Sequence, residues 1–265
     1  MLSYLHGFHA GNAADVHKHA VLTALLTALA TKDKPFAVLD VYAGHAIYDL
    51  SGEHAQKKKE FETGIGRLHG TAAPEVLRAY LQLVATTNAT AELKTYPGSP
   101  EIARRLMRTD DVLIVNELHP AEHAALRRWA AADKRVHVHR RDAVEAINAL
   151  LPPKPRRGLL LIDPPYEVKD EYRTVATAVP AAAQKWPEGI IMVWYPILAE
   201  ARHAAMTAEL RSMIAGEMLT SELHFEAKTA DSGLLGSGVV IINPPWQFAA
   251  TLVEIERAVS AAIVA

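Results

Sequence analysis

Gly158-Leu159-Leu160-Leu161-Ile162-Asp163-Pro164-Pro165-Tyr166 is the stretch on which the fold turns. Its first half is a short unbroken apolar run, the pattern of a strand buried on both faces of a parallel sheet. The two prolines then stop the strand, because each fixes φ and removes a backbone donor. Similar apolar runs recur on either side: Phe36 to Tyr42, Val112 to Val115, Val136 to His139, Gly189 to Trp194 and Gly238 to Ile242. Segments of helical period separate most of them, and this β-then-α rhythm predicts an α/β fold with a mostly parallel sheet covered on both sides.

Departures from the rhythm define the domain organisation. A helix is expected before the first strand: Asn12 and Asp15 resemble a capping pair, and Val21, Leu22, Leu25, Leu26 and Leu29 share one face of a 3.6-residue period. Between Tyr48 and Tyr96 there are two helical patterns, Glu53 to Leu68 and Pro74 to Thr86, with no good strand. A crossover needs little more than one helix, so residues 49–94 are expected to be an inserted helical subdomain, leaving 1–48 and 95–265 as the main domain. Near the C-terminus, Glu217 to Lys228 and Gly238 to Ile242 flank the turn-rich Asp231 to Gly236, which predicts an antiparallel C-terminal hairpin.

Composition excludes several classes of function. The 265 residues are 50% apolar and 22% charged, a globular balance that leaves no room for a collagen-like, disordered or coiled-coil reading. The absence of cysteine removes disulfides, thiolate metal sites and cysteine nucleophiles. No run approaches the ~20 apolar residues of a membrane span, and Met1 to Asn12 does not read as a signal peptide. A cytoplasmic protein without membrane association is therefore expected. With a net charge of −2 there is no global footprint for nucleic acid, although one local basic patch could still meet RNA.

The Asp163-Pro164-Pro165-Tyr166 turn carries the clearest chemistry. In open α/β sheets, ligands collect beyond the carboxyl ends of parallel strands, where this turn sits. A carboxylate beside carbonyls that lack competing N–H groups only accepts hydrogen bonds, so it suits an amino group. Tyr166 is expected to offer a flat face to a base drawn out of its helix. Asn243-Pro244-Pro245-Trp246 is chemically similar but follows the strand expected to be antiparallel. Its end should lie across the sheet from the ligand crevice, and a structural role is assigned to it.

Other features are weaker one by one. Asp40 to Ala46 follows the first strand with a single glycine, Gly44, while the Gly64, Gly66 and Gly70 set has the wrong spacing for a dinucleotide loop. Glu117 and Asp142 stand at the ends of the second and third strands, where acids can reach ribose hydroxyls and an adenine amine; alone, each reads as a cap or surface group. His6 and His9, or His17 and His19, lie two residues apart, a spacing that splays side chains on a helix, so no metal site is expected. Arginines cluster at Arg104, Arg105 and Arg108, at Arg127 and Arg128, and at Arg140, Arg141, Arg156 and Arg157. They fit either solvated ends or a phosphate-facing surface.

Taken together, these stretches resemble one family, the bacterial 23S ribosomal RNA adenine-N6 methyltransferases of the RlmJ type. The matching segments run in order through nearly the whole chain. They include Met1-Leu2-Ser3-Tyr4, Phe8 to Asn12, Asp15 to His19, Lys32 to Phe36, Tyr96 to Pro100, Glu117 to Pro120, Ile162 to Glu167, Trp194-Tyr195-Pro196 and Ile242 to Trp246. The resemblance implies a Rossmann-like class I methyltransferase that uses S-adenosyl-L-methionine on one adenine of 23S rRNA, and a monomer is expected. It implies Asp163, Pro164 and Tyr166 as the catalytic turn, and Lys18, His19, Tyr42, Ser99, Glu117, Asp142, Ala143 and Asp163 around the cofactor. Tyr4 and His6 are implied on the RNA side. Two places depart from the family: Tyr42 and Ala46 stand where histidine and a second glycine are usual, and Ala143 where glycine is usual. A DNA adenine or cytosine amino-methyltransferase, and a silent RNA-binding protein on the same scaffold, are the alternatives.

Overall fold

A computed structural model describes residues 6–225 and 233–263. The strands are β1 (Ala37–Asp40), β2 (Ile47–Asp49), β3 (Thr95–Pro97), β4 (Val112–Asn116), β5 (Val136–His139), β6 (Gly158–Ile162), β7 (Ile190–Ile197), β8 (Met218–His224) and β9 (Gly236–Ile242). The α-helices are α1 (Ala13–Ala30), α2 (Glu53–Lys58), α3 (Glu60–Thr63), α4 (Arg78–Thr87), α5 (Ser99–Leu106), α6 (Pro120–Ala130), α7 (Ala143–Leu150), α8 (Glu171–Lys185), α9 (Arg202–Met213) and α10 (Phe248–Ile263). Seven strands form one sheet in the order β5-β4-β1-β6-β7-β9-β8, parallel except for β9, which runs antiparallel to both neighbours.

Why these strands are unbroken apolar runs is visible in their alternation. Val38, Leu113, Leu159, Met192 and Ile241 point to one face, under α1, α4, α5 and α10. Leu39, Leu160, Ile191, Val193 and Val240 point to the other, under α7, α8 and α9. A strand covered on both sides needs apolar residues at every position. The expected C-terminal hairpin is present as β8 and β9; the segment 226–232 of its connection lies outside the described residues.

The first helix differs instructively from its expectation. Asn12 caps it, accepting from the Asp15 N–H at 2.9 Å, and the five apolar positions named above are at most 5% exposed. Yet α1 is buried on nearly all sides, since Asp15, His17, Lys18, His19 and Thr23 are buried as well. The sequence displayed one apolar stripe; α5, α10 and the inserted segment cover the rest. Side chains of 49–94, including Leu50, Ile65, Leu77, Tyr80 and Val84, join the same apolar cluster as the sheet. A short antiparallel pair, β2 with β3, joins the two ends of segment 49–94, which shares the main core and has none of its own.

The insertion meets the start of α1 through backbone. Ile65 N–H donates to the Gly11 carbonyl at 2.9 Å, and a Cβ on Gly64 would lie 2.1 Å from that same oxygen. Glycine is required there by close approach of main chain. Gly64→Ala is expected to destabilise the protein by about 1–3 kcal/mol, as overpacking does. Gly216→Ala, where nothing lies within 4 Å of the added Cβ, should stay within about 0.5 kcal/mol in parallel urea unfolding.

Candidate active site

Side chains at the carboxyl ends of the parallel strands surround a large cavity. Asp40 ends β1, Glu117 follows β4, Asp142 follows β5 and Asp163 follows β6, while Trp194 and Pro196 come from the end of β7. All but Asp40 line the cavity of about 1050 Å³, together with Lys18, Tyr42, Ser99, Ala143, Pro164 and Tyr166. Most small-molecule pockets span about 300–1000 Å³, so there is room for more than one small ligand.

Lys18 organises the centre. Its Nζ donates to Asp15 Oδ1 at 2.8 Å and to Asp163 Oδ2 at 2.6 Å, and lies 5.3 Å from the centre of the Trp194 ring. Burial works against the ammonium, but the two carboxylates prevail and hold its pKa above the ordinary lysine value. Burial likewise opposes the Asp15 anion, yet His6, Lys18 and His19 keep its pKa well below the usual range. Asp15 Oδ2 also accepts from the Gly11 N–H at 2.9 Å and from His6 Nε2 at 2.8 Å.

The acids fall into two kinds. Glu117 is fixed by backbone donors, accepting from Gly44 N–H at 2.9 Å and His119 N–H at 2.7 Å; Gly44, at φ +55, turns the loop toward it. Asp142 caps α7 by accepting from Val144 N–H at 2.9 Å, as the ordinary cap reading of this residue expects. Asp40 was not singled out from sequence. It is 1% exposed and accepts from the Ser99 hydroxyl at 2.6 Å, and burial, reinforced by nearby Asp163, raises its pKa to about 7. The signal that could have found it is positional, an acid closing the central strand immediately before the glycine loop.

One expectation needs revision, and two residues line the cavity with their polar groups engaged by neighbours. Tyr166 does not offer a stacking face: its backbone is left-handed at φ +53, and its ring packs against Tyr172 at 4.4 Å and Trp194 at 6.1 Å. Its hydroxyl needs a partner once buried and donates to the Trp194 carbonyl at 2.9 Å, which turns the ring inward. His19 is 2% exposed and stacked on Tyr96, with Nδ1 2.7 Å from that hydroxyl, so it is wall rather than projecting ligand. Ser99 spends its hydroxyl on Asp40. Tyr4 lies outside the described residues, and His6 sits at the cavity wall.

The arginine question resolves largely toward structure. Arg104 and Arg105 bind Glu101, Arg108 binds Asp111, and Arg157 donates to the carbonyls of Leu29 and Lys34. Arg141 lines the cavity, and Arg127 and Arg128 are exposed. Asn243 Nδ2 donates to the Pro187 and Gly189 carbonyls, at the end of the sheet away from the cavity, as expected for the second Pro-Pro turn.

Fold, strand order and this row of acids beyond a parallel sheet define a Rossmann-like class I methyltransferase. The chain belongs to the ribosomal RNA large-subunit methyltransferase family of the RlmJ type: the family model described as "Ribosomal RNA large subunit methyltransferase D, RlmJ" matches residues 33–265. It is 40% identical over 248 residues to ribosomal RNA large subunit methyltransferase J of Escherichia coli, covering 93% of this chain and 89% of that relative. The protein of the same name from Haemophilus influenzae is 39% identical over 257 residues, covering 96% and 92%. A crystal structure of protein LPL1258 from Legionella pneumophila superposes with a TM-score of 0.89 at 35% identity, covering 96% of this chain and 94% of that one. Among the described residues no helix is long and apolar enough to cross a membrane.

Burial also makes the site acid-sensitive. His17, wedged between the Ser237 and Ser221 hydroxyls at 2.9 and 2.8 Å, has its pKa lowered by burial to about 3, as does His19. A histidine lowered in the folded state leaves the unfolded chain holding more protons between about pH 6.5 and 3, so stability falls as pH falls through that window. Urea unfolding between pH 6.5 and 4.5 should show this slope, and His17→Gln should reduce it by about one proton.

Proposed function

We propose that this protein transfers a methyl group from S-adenosylmethionine to N6 of one unpaired adenine in 23S rRNA. The observation that carries the proposal is the Asp163-Pro164-Pro165 turn, held by Lys18 at the wall of a cavity large enough for cofactor and base together. The acids also suit the cofactor. Glu117, Asp142 and Asp163 line the cavity as an acceptor-rich row with Asp40 buried behind Ser99, which fits a ligand carrying a sulfonium, an ammonium, ribose hydroxyls and an adenine amine. Glu117, whose two oxygens are each pinned by a backbone donor, is assigned to the ribose, and Asp142 with Ala143 to the adenine. Lys18 and Tyr42 belong to the same wall.

S-adenosylmethionine supplies an electrophilic methyl group when bound. The chain's own residues must make a poor nucleophile competent, since the N6 lone pair is delocalised into the purine. Asp163 and the Pro164 carbonyl accept hydrogen bonds from the two N6–H groups, which favours a more pyramidal nitrogen with its lone pair aimed away from the turn. As the C–N bond forms, the methyl–sulfur bond breaks to leave the neutral thioether, and the surplus N6 proton passes by way of the Asp163 carboxylate to solvent. Lys18 contributes by locking Asp163 Oδ2, leaving Oδ1 as the oxygen assigned to the amine. Orientation of this kind can supply a large part of the ~7–11 kcal/mol available from proximity. The base must be extruded or single-stranded, because N6 lies on its pairing edge. Tyr4 and His6 are assigned to the RNA side of the cavity, with Tyr166 supporting the turn from beneath.

Labelled cofactor incubated with 23S rRNA and, separately, with duplex DNA tests the substrate; label on DNA alone would overturn the RNA assignment. Asp163→Ala should lower transfer by at least about a thousandfold, close to 4 kcal/mol, while S-adenosylmethionine still binds measurably, with folding checked by circular dichroism because Lys18 loses a partner. Near-normal transfer would sink the assignment.

A cationic ligand in the cavity, on the far side of the Ser99 that donates to buried Asp40, favours the ionised form of Asp40. With a pKa of about 7 raised by burial, cofactor binding should release a proton near neutrality and tighten as pH rises from 6 to 8. Calorimetry in two buffers of different ionisation heat measures that proton, and Asp40→Asn should abolish its release.

A further inference from the structure

We propose that Glu60, the first residue of α3 in segment 49–94, is a positioning residue for methyl transfer that sets the place of the Asp163 carboxylate through a continuous chain of hydrogen bonds and ion pairs, one of them made by a backbone N–H. This rests on the function proposed above. Glu60 Oε2 accepts from His9 Nδ1 at 2.9 Å and from Asn12 Nδ2 at 3.0 Å. Asn12 Oδ1 accepts from the Asp15 N–H at 2.9 Å, Asp15 binds Lys18 at 2.8 Å, and Lys18 binds Asp163 at 2.6 Å. Three parts of the chain distant in sequence are thereby connected in one line.

Each link fixes the next for a physical reason. An asparagine amide presents an oxygen on one side and an NH₂ on the other. By taking the NH₂, Glu60 commits the oxygen to capping α1, so the helix start cannot rotate without breaking a bond at each end. Asp15 lies in the first turn, and its carboxylate goes where that turn goes. Lys18 has a flexible four-carbon stem, so its ammonium is placed by Asp15 rather than by its own backbone. Asp163 follows the ammonium. The backbone contact of Ile65 with Gly11, at 2.9 Å, and the close seating of Gly64 keep Glu60 in reach. On this reading the insertion carries an anchor for the catalytic carboxylate and is tied to the chemistry as well as to the fold.

The test uses the full chain, wild type in parallel, with Glu60→Ala, Asn12→Ser and the double variant. Serine keeps the helix cap through its hydroxyl but has no amide to offer Glu60, so Asn12→Ser cuts the chain without uncapping α1 and serves if Glu60→Ala fails to fold. A misplacement of about 1 Å at a reacting group can cost about a hundredfold in rate. Each single variant should therefore lose about ten- to a hundredfold in kcat, with KM for rRNA and S-adenosylmethionine affinity changed by less than about threefold. The double variant should be no worse than the worse single, because both cut one chain. Glu60→Gln, which keeps an acceptor oxygen, should recover most of the activity. A crystal structure of Glu60→Ala should show Lys18 Nζ and Asp163 Oδ2 beyond hydrogen-bond distance. Unchanged kcat, a multiplicative loss in the double variant, or a loss confined to KM for rRNA would overturn the proposal, the last making Glu60 an RNA contact. If wild type transfers no methyl group to rRNA, the functional reading fails instead, and the Lys18 to Asp163 separation still decides the anchor.

Discussion

A buried ammonium between two carboxylates is the constraint on which the site depends. Lys18 is 3% exposed and Asp15 1% exposed, and removing such charges from water costs several kcal/mol per ion before any attraction is counted. The arrangement is tolerable because Asp15 and Asp163 flank Lys18 at 2.8 and 2.6 Å, and because Asp15 receives two further donors from Gly11 and His6. Removing one partner would leave an uncompensated charge, so the three groups stand or fall as a unit. α1 must accordingly run with its polar residues inward, and something other than water must cover them. The insertion, α5 and α10 provide that cover.

The sheet explains why the unit sits where ligands gather. Its parallel strands all end on one side, and four of them place an acid at or just beyond that end. β1 contributes Asp40, β4 Glu117, β5 Asp142 and β6 Asp163. The repeated βα connection therefore gathers acids at one rim, with Glu117, Asp142 and Asp163 on the cavity and Asp40 buried behind Ser99. α1, which precedes the first strand, brings Lys18 to Asp163 at the end of that row.

Much of this was legible because it is periodic or local. The apolar runs gave the strands closely: Val136–His139 and Gly158–Ile162 match at both ends, and the antiparallel β8–β9 pair was announced by its turn-rich connection. The Asn12 cap was likewise readable from three residues of spacing. What escaped was non-local. His17 finds its partners at Ser221 and Ser237, more than 200 residues away, and no pattern within a helix signals that. The β2–β3 pair is three residues on each strand and closes a span of more than forty, too short to show an alternation. Tyr166 was misjudged because a tyrosine after two prolines looks exposed in sequence. The buried acceptor at the Trp194 carbonyl, which draws its hydroxyl inward, belongs to another strand.

The two Pro-Pro turns show how strand direction converts one chemistry into two roles. Asp163-Pro164-Pro165 and Asn243-Pro244-Pro245 both offer a side-chain acceptor next to a rigid, donor-poor backbone. β6 runs parallel to β7, so its turn opens into the cavity; β9 runs antiparallel, with Ile242 opposite Ile191, so its turn lies at the other end of the sheet. There Asn243 is occupied in donating to the Pro187 and Gly189 carbonyls, stitching β9 to the start of β7. A carboxylate at that position could only accept and would oppose those carbonyls, whereas an amide at 163 would lose its ion pair with Lys18. Residue identity at each turn is thus dictated by what waits beyond the strand end, a conclusion that motif matching alone would not supply.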